Sequence, residues 1–239
     1  MNDCSPASSK GLASESAPLS PDSCVLDNAE METILSSQTP RTIRAGETIF
    51  VQGEAISGML CIAEGTVAIH RSHNKGQSSL LRLRDSGSTL GLDALFGSGI
   101  HTTSAVALTN CTVIEIEPSK LCNLTSSSPE LFRKLMAQLA FALQDSDEAR
   151  VNSVHLQVRA RLAALLLALR DRHGKVDESG NLRIKLPLSR RDMASAIGTR
   201  PESLSRAIRA LENDDVAQFS GKHVLVQDLD DLLDEVESP

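Results

Sequence analysis

The segment Ser189–Glu212, SRRDMASAIGTRPESLSRAIRALE, constrains the fold more than any other part of the 239-residue chain. Counted from Arg190, the fifth position is Ala194, small enough for two helices to approach closely. The ninth is Gly198, free to take the left-handed backbone of a tight turn. Met193, Ile197, Leu204 and Ile208 stand where two such helices bury side chains between them. Ser189 with Asp192 has the form of a helix start, and Thr199 with Glu202 has capping-box spacing for the second helix. The pattern predicts a helix-turn-helix. The following VAQFSGKHVLVQ predicts a hairpin, a wing turning at Ser220, Gly221 and Lys222.

The second helix has a second face. Arg200, Glu202, Ser205, Arg206 and Arg209 fall away from the apolar stripe of Leu204, Ile208 and Leu211. The chain as a whole is acidic, with a formal net charge of −7, yet residues 150–222 hold 14 Lys+Arg against 8 Asp+Glu. The predicted helix-turn-helix therefore lies in the basic part of an acidic protein. In a DNA major groove, Arg206 can donate two hydrogen bonds to guanine O6 and N7. Glu202 can accept from the cytosine N4 amine. Arg200, Arg209 and the wing residue Lys222 are placed for phosphates. Aromatics make up 2% of the chain, with no Trp or Tyr, so stacking on unpaired bases is not its method.

Upstream, residues 1–25 are rich in Ser, Ala and Pro and read as disordered. Between Arg41 and Leu121, short β-type runs punctuated by glycine predict a small antiparallel roll or barrel. Pro129 opens a long helix with Leu131, Leu135, Leu139 and Leu143 at a spacing of four. The run Leu162–Leu169 is apolar nearly all round and reads as a buried helix. The fold class expected is α+β: an antiparallel β-roll over 26–127, a dimerisation helix over 128–157 and a winged helix-turn-helix over 158–239. No apolar run reaches membrane-spanning length and no signal peptide opens the chain, so a cytoplasmic protein is expected. Catalytic signatures are missing: no Gly-rich phosphate loop, no His-Glu-x-x-His and no Gly-x-Ser-x-Gly.

From about Leu26 onward the chain resembles the CRP/FNR family of bacterial transcription regulators. AGETIFVQGE, IAEGTV and GLDALFGSGIHTTSA resemble its β-roll, and SRRDMASAIGTRPESLSRAIRALE its recognition unit. The nearer resemblance is to the FNR side. There a Glu-x-x-Ser-Arg pattern, here Glu202, Ser205 and Arg206, implies reading of TTGAT-like half-sites by a homodimer on double-stranded DNA. RNA polymerase is implied as a further partner, with the loop from His70 to Ser78 as a candidate contact, and activation as the usual outcome. The alternative from the residues alone is a ligand- or partner-binding module without DNA contact.

The resemblance leaves the cofactor open. The segment that cradles cyclic AMP in related proteins carries a Glu and an Arg-Ser pair; here Leu92 and Thr102-Thr103 stand in those places. A cyclic phosphate would forgo a charged hydrogen bond worth about 1.5–3 kcal/mol. The N-terminal cluster of closely spaced cysteines that holds an iron–sulfur centre is absent. Cys4 and Cys24 remain possible redox thiols, while Cys61, Cys111 and Cys122 read as buried apolar side chains. His70, His73, His101 and His155 are candidate haem ligands without distinguishing context. For the dimer, Leu135, Leu139, Leu143, Ser146 and Arg150 form the expected seam. Ser146, Asp147 and Arg150 interrupt it, and Asp145, Asp147 and Glu148 would set like charges across a two-fold axis, giving a marginal dimer that a signal can tip.

Overall fold

A computed structural model describes residues 38–72 and 78–237. Among the described residues, eight strands form the N-terminal domain: β1 (Arg41–Ile43), β2 (Thr48–Phe50), β3 (Met59–Glu64), β4 (Thr66–Ser72), β5 (Ser78–Asp85), β6 (Thr89–Leu90), β7 (Ser104–Ala107) and β8 (Cys111–Ile116). They make two antiparallel four-stranded sheets, ordered β1-β8-β3-β6 and β2-β7-β4-β5. This is the expected β-roll. A short helix α1 (Leu92–Phe96) follows β6.

Burial explains the strand composition. Along β3, Leu60 and Ile62 enter the core between the sheets with Phe50, Val67 and Val113. Met59 and Cys61 point the other way, into a second core with Ile114, Ile116, Leu121, Leu131 and Leu135. A strand covered on both faces reads as a continuous apolar run, which is what MLCI is. The cover on the second face comes from α2 (Pro118–Ser127) and the long helix α3 (Pro129–His155). Ser128 opens α3 by accepting the Leu131 amide at 3.2 Å.

The C-terminal domain is organised by α4 (Val158–His173), whose Leu162, Ala163 and Leu166 are fully buried. Around it lie β9 (Gly174–Val176), β10 (Leu182–Lys185), α5 (Arg190–Ala196), α6 (Pro201–Asn213), β11 (Gln218–Ser220), β12 (His223–Val226) and α7 (Leu229–Glu237). The four strands form a separate antiparallel sheet in the order β11-β12-β10-β9. Arg159 fastens α4 to the chain end, pairing with Glu235 of α7 and with Asp214 just past α6.

The two domains share a core. Ala68 and Leu80 belong to the same buried cluster as Met193, Ala194 and Leu204, with Leu83 packed against it. The Leu80 amide donates to Ser195 Oγ of α5 at 2.7 Å. One irregularity makes this possible: Ile69 pairs with Arg82 but His70 pairs with Leu80, so Leu81 is an extra residue, a β-bulge. The bulge breaks the alternation of faces. Leu80 and Leu83 face the DNA-binding side, and Arg82 and Arg84 face inward.

Candidate nucleic-acid interface and sensor cavity

The helix-turn-helix is built from local signals at its first helix and from tertiary contacts at its turn. Ser189 accepts the Asp192 amide at 3.2 Å while the Asp192 carboxylate takes the Ser189 amide at 3.3 Å, a complete capping box. The turn follows at Gly198 with φ +62°. A Cβ there would meet only Arg161 Nη1 at 3.5 Å, so the requirement for glycine is the backbone conformation rather than space. Arg161 of α4 donates to the Ile197 carbonyl at 2.7 Å, and the Thr199 amide donates to the Ala194 carbonyl at 2.8 Å. The Arg161 contact was not legible from the pattern, because it comes from a residue 36 positions upstream.

One expectation is corrected here. Thr199 does not cap the second helix: Arg200 is the N-cap residue, without a side-chain cap, and Pro201 occupies the first turn. Proline gives up no hydrogen bond at that position and holds the backbone angle the helix needs. Leu204, Ala207, Ile208 and Leu211 of α6 are buried. Arg200, Glu202, Ser205, Arg206 and Arg209 are all exposed on the opposite side. The Ser205 hydroxyl donates to the Pro201 carbonyl at 2.9 Å, and Arg206 Nη2 donates to Ser203 Oγ at 3.1 Å. Both partners belong to α6 itself, so the polar face is bound to no other element through them.

The wing lies beside this face. Lys222 is exposed at the β11–β12 turn, where Gly221 has φ +59° and the Leu186 amide donates to the Lys222 carbonyl at 2.7 Å. The Arg190 guanidinium sits 5.0 Å above the Phe219 ring, tying α5 to the wing by a cation–π contact. Arg190 and Arg191, both exposed on α5, extend the basic surface beyond the residues singled out by sequence.

The β-roll encloses a cavity of about 320 Å³. Phe50, Ile69 and Leu90 line its apolar side, Arg82 and Arg84 project from β5, and Leu92, Asp93 and Thr103 stand at α1 and the segment after it. Helix α3 closes it with Gln138, Leu139, Ala142, Leu143 and Ser146, and Thr89 bonds Gln138 across the gap. Leu92 is buried and apolar, while the Asp93 carboxylate takes the Thr102 hydroxyl at 3.3 Å.

Helix α3 therefore divides the expected dimer seam. Leu135 is fully buried in its own β-roll's second core, with no surface left for a partner, and Leu139 packs against the same core. This corrects the seam at Leu135: the spacing of four registered the β-roll, not a second helix. Leu143 is 65% exposed, and Phe132 and Val151 are exposed on the same helix. Ser146 is exposed at the cavity rim. The side chains of Asp145, Glu148 and Arg150 lie outside the described residues.

The cysteines follow expectation at Cys61 and Cys111 and depart from it at Cys122. Cys61 and Cys111 are buried, and burial pushes the Cys111 thiol up from its ordinary value. Cys122 is exposed on α2, against the reading of it as a buried side chain, because the buried face of that helix is carried by Leu121. Cys4 and Cys24 lie outside the described residues, as do His73 and the side chain of His155. His101, one of the candidate haem ligands, is buried and stacked on Phe50 with ring centroids 3.8 Å apart. Burial lowers its pKa, with Asp93 and Glu54 pulling the other way. Among the described residues no group of three or more His, Cys, Asp or Glu is placed to hold a metal ion. None of the described helices is long and apolar enough to cross a membrane.

A β-roll joined by a long helix to a winged helix-turn-helix is the architecture of a DNA-binding transcription regulator. Residues 40–128 match the cyclic nucleotide-binding domain family, and residues 160–235 match the Crp-like helix-turn-helix domain. The chain belongs to the CRP/FNR family. It is 27% identical over 187 residues to a CRP-like cAMP-activated global transcriptional regulator of Mycobacterium tuberculosis, covering 78% of this chain and 83% of that protein. It is 28% identical over 180 residues to the cAMP-activated global transcriptional regulator CRP of Escherichia coli, covering 75% of this chain and 85% of that one. Its fold is that of a CRP/FNR-family transcriptional regulator of Thermus thermophilus, with TM-score 0.71, 23% identity and coverage of 84% and 99%. The c-di-GMP-responsive regulator CLP of Xanthomonas campestris aligns with TM-score 0.73 at 22% identity, over 84% of this chain and all of that one. Transcription regulation rather than catalysis is what such proteins do.

Proposed function

We propose that this regulator binds a two-fold DNA site with TTGAT-like half-sites as a homodimer, with Glu202, Ser205 and Arg206 reading bases. The observation that carries the reading is the exposed polar face of α6, set on a buried stripe inside a Crp-like helix-turn-helix. Glu202 and Arg206 stand one helical turn apart, the spacing for a cytosine amine and a guanine edge. Arg200, Arg209 and Lys222 contact phosphates on either side. We divide the chain as sensor 26–127, dimerisation helix 128–157 and DNA-binding domain 158–239, with residues 1–25 as a separate tail.

Two α3 helices pair through their exposed apolar residues, with Leu143 and Val151 in the seam beside Ser146 and Arg150. Leu143→Asp should shift the protein toward monomer in sedimentation at micromolar concentration. Unchanged sedimentation would place the interface elsewhere.

The relatives from Mycobacterium tuberculosis and Escherichia coli are named as cAMP-activated. For this chain a different signal is the better reading. Leu92 offers a phosphate no charge, and the neighbouring Asp93 carboxylate repels one. A thiol signal through Cys4 and Cys24 remains a separate arm of the same test, and RNA polymerase is the partner through which a bound dimer activates.

The experiment is fluorescence anisotropy of the reduced protein on a TTGAT-N4-ATCAA duplex against a duplex substituted at the guanine, at fixed salt. Discriminating binding supports the reading and shows that no added ligand is required. Repeating the titration after oxidation reads the cysteines. Weak, indiscriminate binding that does not depend on salt would instead favour a sensor module that does not contact DNA.

A further inference from the structure

Helix α6 is gripped at both ends from a single turn of its neighbour. Arg159 and Arg161 stand in the first turn of α4, just past the end of α3, on either side of the buried Ala160. Successive helix positions lie about 100° apart, so the two guanidiniums leave α4 in opposite directions. Arg161 reaches the turn before α6, where it donates to the Ile197 carbonyl. Arg159 reaches the turn after α6, pairing with Asp214, and bonds Glu235 of α7 at 2.6 Å. Each turn holds a residue in the left-handed region, Gly198 with φ +62° before the helix and Asp215 with φ +58° after it. Asp215 is the one such residue other than glycine among the described residues, and a backbone of that kind persists only where its surroundings hold it.

Local forces do not account for the pair. The N-terminus of a helix carries the positive end of the peptide dipoles, which two arginines oppose. No acidic residue stands in the first turn of α4, and its N-cap residue Gln157 makes no side-chain cap. Arg161 Nε is buried without a hydrogen-bond acceptor among the described residues. Apolar side chains of similar length would cover the same surface without these costs. What the two guanidiniums add is a fixed direction for the backbone at each end of α6.

We propose that Arg161 and Arg159 are positioning residues for DNA reading, which set the angle of α6 against α4 by holding the turns at its two ends. The inference rests on the reading of α6 as the helix that enters the groove. With 13 residues α6 is about 20 Å long, so a tilt of about 5° carries one end through about 1.7 Å. A hydrogen bond to a base edge tolerates a spread of about 0.5 Å. Loosening either turn therefore blurs base reading before it loosens the fold.

The test begins without DNA, by thermal unfolding and amide hydrogen exchange of the full chain. Arg161→Met keeps the apolar stem and removes the fork. It should shift the melting temperature by less than about 5 °C and speed exchange about tenfold or more at Thr199 and Leu204, whose amides close the turn and open α6. Arg159→Met combined with Glu235→Gln, which strands no half-buried carboxylate, should do the same at Asp215 and Val216 beyond the other end. Ile208, at mid-helix, should exchange as in the native protein in both variants. A larger fall in melting temperature, failure to fold, exchange raised throughout the domain, or no change at Thr199 overturns the proposal. Arg161→Lys keeps a donor for the Ile197 carbonyl, and its Thr199 amide should exchange more slowly than that of Arg161→Met. Equal rates in those two variants overturn the role of that bond. Anisotropy on the paired duplexes then reads the consequence. Arg161→Met should narrow the affinity ratio between the TTGAT duplex and its guanine-substituted control by about tenfold, and leave the salt slope, which counts phosphate contacts, unchanged. Equal weakening on both duplexes with the ratio intact overturns a positioning role. If the native protein itself does not discriminate, the TTGAT reading falls, and the exchange pattern alone decides on the two arginines.

Discussion

Two regions of this regulator present arginines from a scaffold of buried aliphatic side chains, and they arrive at that arrangement by different routes. On α6 the polar residues are exposed because Leu204, Ala207, Ile208 and Leu211 are buried, and helical spacing fixes which side each takes. On β5 ordinary alternation would send Leu80, Arg82 and Arg84 to one face. The extra residue Leu81 separates them, so that one strand meets the DNA-binding domain with leucines and the cavity with arginines. A periodic element places its side chains by count, whereas an interrupted one places them by where the interruption falls. The same strand thus touches both regions, through Arg82 and Arg84 on one side and through the Leu80 amide held by Ser195 on the other.

Four measurements break or sharpen this contrast. The largest effect is expected for Leu204→Ala, which empties a site only 1% exposed beneath the polar face of α6. It should cost about 2–5 kcal/mol in thermal or denaturant unfolding and remove DNA binding with it. Unaltered stability would mean that α6 is not seated as described.

Next, Arg206→Ala should weaken binding by about 1–3 kcal/mol and relax preference at the guanine, read by anisotropy on the paired duplexes. Lys222→Ala, by contrast, should weaken all sequences alike and reduce the salt slope by about one. If Arg206→Ala left discrimination intact, Glu202, Ser205 and Arg206 would not be the base-reading set.

A smaller change tests the junction between the two regions. Ser195→Ala removes the acceptor of the Leu80 amide and should cost about 0.5–1.5 kcal/mol. Hydrogen exchange should then quicken at Leu80 while α6 stays protected. Faster exchange spread evenly over both domains would argue against a local tie.

The smallest effect concerns His101. Burial against Phe50 lowers its pKa from the ordinary 6.5, so the unfolded chain takes up the proton first as the solution is acidified. Its contribution is fully present above that value and is lost as pH falls through it. The melting temperature of the native protein should therefore drop more between about pH 7.5 and about pH 5.5 than that of His101→Phe. Parallel curves would remove His101 as the cause.

Much of the DNA-binding half was legible before any coordinates. Ala194, Gly198 and the apolar positions around them specify the crossing and the turn, and Ser189 with Asp192 specifies where α5 begins. Thr199 misled because two residues compete to start α6, and Pro201 favours the later start. The long helix misled for another reason. Leu131, Leu135 and Leu139 make the stripe of a coiled coil, but an apolar stripe records only that it is covered. Here the cover is the chain's own β-roll. Phe132, Leu143 and Val151, left exposed, are what remains for a partner.

The chain's order of residues alone determined the architecture, the turn glycine and the outward face of α6, because each depends on neighbours within one or two helical turns. Tertiary structure decided the rest. Which sheet covers Leu135, which strand residue Ser195 grips, that Arg161 holds the recognition turn, and that Arg82 and Arg84 share a cavity all depend on contacts between distant segments. Such contacts leave no periodic trace, and a single unpaired residue at Leu81 reverses the faces of everything beyond it.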